Sequence, residues 1–534
     1  MKKNKIFLND WLKNKPYTNH NSVDIEYINL SNKVYNLFQE YFNIFEMLSI
    51  DDNEIKELSI FLVCYLEDLV SDTNIWKTFV KINSRNYKKP VPFYSTKDYR
   101  ENEVNIIDIQ FLIWYFFNII NPNRFLSPYD EYLYVLANNA FTVLDEEFDY
   151  ISENELLKKS YLLKNNADYY EVRKTIQKYL FESYLFGIDT KQKLEIKIAD
   201  IFSENENIED SEYFLRIYNS IVDELTISNS TKLLSLRGKE WLREIIGENN
   251  ETSNDIESIS DKIIGFFFFK GENELNYIFE NIATEKIFEV TKDSYIAKIN
   301  PKDDTIYYIE LVNWKDNWVL SGITMQQPFN ADLILDQKNS IEARNIILTN
   351  EKVELNEIVS LIKKQEKAFI EYFGSKIVFI SSKNIQTTIQ NYHDFYNNYF
   401  AENKDNETID QIKNRHKKKG FFYDDKNIDY DFGDSTILLF FNENTGLEIY
   451  QDIASIFPDE KNPFKEKENI DLIKQFLFSD EFSKEITKYF INSYSSNLNF
   501  FKTEIGKKYL KDIDFLMRFW KNSTYNNKPT TTLI

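Results

Sequence analysis

The chain changes character across four runs: Lys286-Ile-Phe-Glu-Val-Thr291, Ser294-Tyr-Ile-Ala-Lys-Ile299, Thr305-Ile-Tyr-Tyr-Ile-Glu-Leu-Val-Asn-Trp314 and Trp318-Val-Leu-Ser-Gly-Ile323. They are rich in β-branched and aromatic residues, and Pro, Asp and Asn fall between them, which is the pattern of short strands. Lys315-Asp316-Asn317 is a polar loop of hairpin length. The last two runs are therefore expected to pair, with Trp314 and Trp318 close to opposite positions at the hairpin end. A cross-strand aromatic pair of that kind contributes roughly 0.5–1 kcal/mol. More than two hundred residues of helical pattern precede this stretch, and helices mixed with strands follow it. The expected fold class is α+β. A mainly helical N-terminal domain covers residues 1–246, a small antiparallel β module covers 262–350, and a mixed α/β region covers 351–534.

On the N-terminal side, Glu54 to Val80 reads as helix with a break near Ser71-Asp72-Thr73. Ile106 to Ile120 is apolar on every side, interrupted only by Asp108, Gln110 and Asn118. It is shorter than the roughly 20 residues a membrane-spanning helix needs. The expectation is a buried core helix with Phe111, Ile113, Trp114 and Phe117 covered. Tyr169 to Phe186 is amphipathic and is expected to stop at Gly187. Gly247 to Asp261 is polar and acidic, the pattern of a domain boundary. A helix is expected at Asn273–Asn281. On the C-terminal side, helices are expected at Leu355–Phe373 and Asn384–Phe400, with a buried strand at Lys376–Ser381. Asn442-Glu-Asn-Thr-Gly446, between two apolar runs, signals a hairpin.

The net charge is −22, from 64 basic and 86 acidic residues. It favours solubility and opposes general attraction to nucleic acid or anionic lipid. A single cysteine, Cys64, excludes an intrachain disulfide and a Cys-rich metal site. The opening Met1-Lys-Lys-Asn-Lys-Ile-Phe-Leu-Asn-Asp10 is too polar for a signal-peptide core. These readings predict a cytoplasmic protein without membrane segments. The bias towards Asn, Lys, Ile, Tyr and Phe fits an AT-rich bacterial genome.

Candidate chemistry is sparse. His20, His393 and His416 stand alone, without the spacing that sets two ligands on one helix face. Glu67, Asp68 and Asp72 lie together, with Asp68 and Asp72 at i,i+4 on a helical face. Such carboxylates are candidates for a divalent cation or for acid–base work, against the plainer reading of a helix cap or salt bridge. Asp145, Glu146, Glu147 and Asp149 form a second acidic group, read as a solvated helix end. Gly-rich phosphate loops and Gly-x-Ser-x-Gly are absent from the sequence. Arg415 to Lys419 is the dense basic run, but Asp424, Asp425, Asp429, Asp431 and Asp434 follow it and cancel much of its field.

Three short motifs stand out: Phe7-Leu-Asn-Asp-Trp-Leu12 with Pro16-Tyr17, Tyr65-Leu-Glu-Asp-Leu-Val-Ser-Asp72 with Trp76, and Asp514-Phe-Leu-Met-Arg-Phe-Trp520 with Lys528-Pro-Thr-Thr-Thr532. On these residues the chain resembles, over nearly its whole length, a family of uncharacterised bacterial proteins known only as a domain of unknown function. That resemblance implies no activity and no site residues. The functional expectation is an intracellular protein-binding or adaptor protein, without cofactor and without catalytic signature. Its partner would be a protein, and Trp314 and Trp318 are the first binding candidates. Two alternatives stay open. One is a carboxylate- or metal-dependent hydrolase using Glu67, Asp68 and Asp72; the other is a nucleic-acid-associated factor using Arg415 to Lys419.

Overall fold

The computed structural model describes residues 5–122, 124–204, 211–294, 305–340, 343, 346, 352–402, 432–527 and 529. The chain divides into two compact units, Met1–Ile259 and Ser260–Ile534.

The first unit is helical. Its centre is the Ile106–Ile120 helix, where Phe111, Ile113, Trp114 and Phe117 are fully buried as expected. A helix with apolar residues all round must be covered all round. Here the cover comes from the Asp52–Ser71, Glu131–Phe148 and Tyr184–Glu204 helices. The break read near Ser71-Asp72-Thr73 is present. Asp72 takes φ 51° just beyond the Asp52–Ser71 helix, and the Ile75–Tyr87 helix follows.

Two helical boundaries differ from expectation. The amphipathic helix starting at Tyr169 ends at Glu182, and Gly187 lies inside the next helix, Tyr184–Glu204. Glycine is needed there for closeness rather than termination: a Cβ on Gly187 would sit 3.0 Å from the Phe181 carbonyl oxygen. The polar Gly247–Asp261 stretch also carries structure. It contains the Ser253–Ser258 helix and buries Ile256 and Ile259, two anchors enough to hold it down.

The second unit opens with a closed five-stranded barrel: β1 (Ile263–Glu272), β2 (Asn276–Asn281), β3 (Ile287–Thr291), β4 (Thr305–Trp314) and β5 (Asn317–Pro328). The order around the barrel is β1-β2-β3-β5-β4, antiparallel except for the β3–β5 seam, which is parallel. This is the Greek-key arrangement of the OB barrel. Phe267, Phe279, Phe288, Val290, Tyr307, Ile309 and Leu311 fill the inside.

The segment expected as helix at Asn273–Asn281 is β2. Tyr277, Phe279 and Asn281 alternate inward, and a period of two outweighs the helical reading of so short a run. Of the expected Ser294–Ile299 strand, only Ser294 is described, at the end of a 3-10 turn; the rest lies outside the described residues. The turn after β4 is shorter than read. Lys315 and Asp316, at φ 50° and 62°, form a two-residue turn, and Asn317 already belongs to β5. Two positive-φ residues make the primed turn whose twist suits a hairpin.

Beyond the barrel, β6 (Ile377–Ser381), β7 (Thr436–Asn442) and β8 (Gly446–Gln451) form an antiparallel sheet with β7 central. The β7–β8 hairpin closes at Asn442↔Gly446, as the Asn442–Gly446 signal predicts. Ile437, Leu439 and Phe441 face the Lys352–Phe373 and Ile385–Glu402 helices, packing on Phe369, Ile385 and Tyr392. Phe440 packs at a tilt against Tyr489 of the Lys484–Tyr494 helix on the other face, with ring centroids 5.7 Å apart. Helices thus cover both faces of β7. The whole is α+β: helical first, a small sheet in the middle, and mixed helices and strands after it. Among the described residues, no helix is long and apolar enough to cross a membrane.

Candidate functional site

The three carboxylates singled out from sequence do not converge. Asp72 is exposed beyond the helix end, 3.8 Å from the exposed Lys77, so it shares no helical face with Asp68. Asp68 is buried, and all its acceptor positions are used. Oδ1 accepts from the Thr73 hydroxyl and from Ile75 N at 3.1 Å. Oδ2 accepts from Trp76 N at 2.7 Å and from the Tyr184 hydroxyl at 3.0 Å. Asp68 therefore caps the N-terminus of the Ile75–Tyr87 helix from the helix before it, where a carboxylate also meets a favourable dipole. Burial pushes its carboxyl upward, and these donors pull it back.

Glu67 points to a different set of neighbours. Its carboxylate pairs with Lys15, and both side chains are sealed from solvent. Oε1 accepts from Asn154 Nδ2 at 2.8 Å. The Lys15 ammonium lies 3.4 Å from Cys64 Sγ and 3.8 Å above the Trp11 ring centre. Asp24 extends the network: its Oδ1 accepts from Trp11 Nε1 at 2.9 Å and from the Tyr17 hydroxyl at 2.7 Å. Asn154 also donates to the Tyr17 oxygen, at 2.8 Å. Burial alone lowers Lys15, but Cys64 and Glu67 more than reverse this, so the ammonium is held charged. Burial raises the Cys64 thiol to about 12, which makes it inert. Four residues of the opening and second motifs, Trp11, Tyr17, Glu67 and Asp68, thus meet partners inside helix packing. Lys15, Asp24 and Asn154 are functionally silent in the sequence. For Lys15 the one available signal is its place beside Pro16-Tyr17.

A second buried centre gave no signal in the sequence beyond Asp108 interrupting the apolar run. Asp108, in the first turn of the Ile106–Ile120 helix, receives the Tyr65 hydroxyl at 2.9 Å and Trp76 Nε1 at 3.0 Å, both on Oδ2. Tyr99 and Asn105 reach the same oxygen at 3.4 Å. Oδ1 has no hydrogen-bond partner. Burial raises the carboxyl to about 7 against the pull of these four donors. In the second unit, Lys521 donates to the carbonyls of Phe476, Ser479 and Phe482 at 3.0, 2.9 and 3.0 Å. Burial lowers it to about 7, against the nearby charges of Asp480 and Glu481.

The two tryptophans also separate. Trp314 pairs with Asn317, and Trp318 pairs with Asn313. Successive residues of a strand face opposite sides, so the rings lie on opposite faces of the hairpin and form no cross-strand pair. Trp318 points into the barrel, edge-on to Phe288 at 5.0 Å. Trp314 lies on the outer face and is only 7% exposed. Among the remaining candidates, His20 is exposed, and burial lowers His393. Asp145, Glu146 and Asp149 are solvated, while Glu147 pairs with Lys33. His416 and the Arg415–Lys419 run lie outside the described residues. Among the described residues, no group of three His, Cys, Asp or Glu side chains is arranged to hold a metal ion.

A helical unit built on a sealed polar network, followed by a Greek-key barrel, defines the class. The chain belongs to the DUF3843 family, described as proteins of unknown function, whose match covers residues 5–289, just over half of its length. That match takes in the Lys15–Glu67 and Asp108 centres and ends within β3. No curated protein and no solved structure matches the chain.

Proposed function

We propose that this chain is a non-catalytic, cytoplasmic protein-binding protein of adaptor type. The observation that carries this reading is how five of its fully buried charged groups are bonded. Lys15, Glu67, Asp68, Asp108 and Lys521 are all buried, and each is bonded to groups that hold one packed segment to another. A catalytic acid or base has to come within hydrogen-bond reach of its substrate. Groups sealed in this way serve architecture.

The barrel supports a protein partner over a nucleic acid. In OB barrels, oligonucleotides bind on the face of strands 2 and 3 and on the adjoining loops, through aromatic platforms and cations. Here that face, the β1–β2 loop and the adjoining end of β1 carry Glu280, Glu289, Glu274 and Glu272 beside Leu275, Ile278 and Ile287. Lys270 and Lys292 are drawn to Glu280 and Glu272, at 3.2 and 3.0 Å. An acidic, aliphatic surface repels a phosphate backbone.

The test is affinity capture with the full chain, followed by gel filtration of the purified complex, beside melting with and without Mg²⁺ or Mn²⁺. The expected result is a protein partner at fixed stoichiometry and a melting temperature unmoved by metal. Stabilisation of several degrees by either metal would overturn the reading in favour of the carboxylate hydrolase.

A further inference from the structure

A cleft of about 380 Å³ lies at the start of the Ile106–Ile120 helix, within the first unit. One wall is the Glu131–Phe148 helix, which contributes Tyr134, Phe141 and Asp145. Spacings of seven and four residues put these three on one helical face. Tyr134 is 53% exposed, and Phe141 is half-buried. The other wall is the turn that leads into the Ile106–Ile120 helix, and it contributes Asp98, Tyr99 and Arg100. That turn is fixed by its own hydrogen bonds. Asn105 Oδ1 accepts from Arg100 N at 2.9 Å, and Asn105 Nδ2 donates to the Arg100 and Glu103 carbonyls, each at 2.9 Å. The Tyr99 hydroxyl is anchored on Asp108 at 3.4 Å. A cleft whose walls are already in place costs a ligand little ordering.

Charge decides what such a cleft takes. The Arg100 guanidinium is engaged with Glu103 at 3.2 Å. Asp98 and Asp145 are exposed, and among the described residues neither has an ion-pair partner. The start of the helix adds about half a positive charge, less than the two carboxylates bring. The faces of aromatic rings attract a cation as well.

We propose that this cleft binds an organic cation, a primary ammonium carried on an apolar stem. The ammonium meets Asp98 and Asp145, and the stem lies against the Tyr134 and Phe141 rings. The volume is at the small end of the roughly 300–1,000 Å³ of ligand clefts. It takes one small molecule or one lysine side chain. The proposal goes beyond the protein-binding reading above and does not depend on it.

The test is titration calorimetry of the full chain at neutral pH with three probes of similar shape: phenethylamine, phenethyl alcohol and phenylacetate. The expected result is saturable binding of the amine at millimolar concentration, with the neutral and anionic probes about fivefold weaker or more. Asp98→Asn/Asp145→Asn should weaken the amine about fivefold. Its melting temperature should be unchanged, because both side chains are exposed. Glu146→Gln/Asp149→Asn removes two charges beside the cleft without touching its lining, and should leave the affinity as it was. Tighter binding of N-acetyl-lysine methylamide than of phenethylamine would assign the cation to a lysine of a partner protein, and the reverse to a free amine. No binding of either amine at millimolar concentration overturns the proposal. So does equal binding of amine and alcohol, tighter binding of phenylacetate, or equal weakening by the two double variants. None of these outcomes bears on affinity capture, so failure of the site and failure of the protein-binding reading are told apart.

Discussion

Asp108 in the helical unit and Lys521 in the C-terminal unit are both brought to about 7, from opposite directions. Burial is the leading cause in each. Asp108 has four donors around one oxygen, and Lys521 has three carbonyls around its ammonium. Hydrogen bonds to the charged form do not outweigh desolvation in either place. The two centres differ in what this does to stability. Folded Asp108 holds its proton up to about 7, whereas an unfolded aspartate releases it near 3.8. The first unit therefore loses stability as pH rises from about 4 to 7. Folded Lys521 releases its proton near 7, whereas an unfolded lysine keeps it to 10.5. The second unit therefore gains stability as pH rises from 7 towards 10.5. The two groups therefore act on stability in opposite directions, one in each unit.

The largest expected effect removes the Asp108 contribution. Asp108→Asn should lessen the decline of the helical unit between pH 4 and 7 by about 4 kcal/mol across the window. Denaturation midpoints at several pH values would measure it, and a variant that keeps the parent's slope would place the titration elsewhere. Next, Lys521→Met should cost about 3 kcal/mol at pH 7 by leaving carbonyls unpaired, and should flatten the alkaline gain of the second unit. A retained gain would mean that another buried group carries it.

Gly322→Ala should cost about 2 kcal/mol. Gly322 has φ +114°, and a Cβ there would collide with the carboxylate of Glu310, which is itself buried against Lys262. Glu310→Ala in the same chain should remove the collision but not the backbone strain, so the two costs should not add. The smallest effect concerns the tryptophans. Trp314→Ala and Trp318→Ala should be additive within about 0.5 kcal/mol, because their rings occupy opposite faces. A coupling near 1 kcal/mol would restore the cross-strand pair that the register excludes.

These centres also mark where reading the sequence succeeds and where it stops. The Ile106–Ile120 helix, the Asp72 break, most of the strands and the Asn442–Gly446 hairpin were legible, because each follows from residues a few positions apart. β2 was misread because six residues are too few for periods of 2 and 3.6 to separate cleanly. The two tryptophans were misplaced by one residue of turn length, and a one-residue slip in a strand changes the face of every side chain.

What the sequence by itself determined is the order of elements, the covered central helix and the acidic charge of −22. All are local patterns or sums. What only the tertiary structure decided is which partner each buried polar group meets. Glu67 meets a lysine 52 positions away and an asparagine 87 positions away. Asp68 meets a tyrosine 116 positions away. The physical reason is that burying a charge is costly and the cost is met by particular atoms at particular distances. Periodicity tells which face of a helix turns inward. It does not tell which residue, a hundred positions along the chain, will be there.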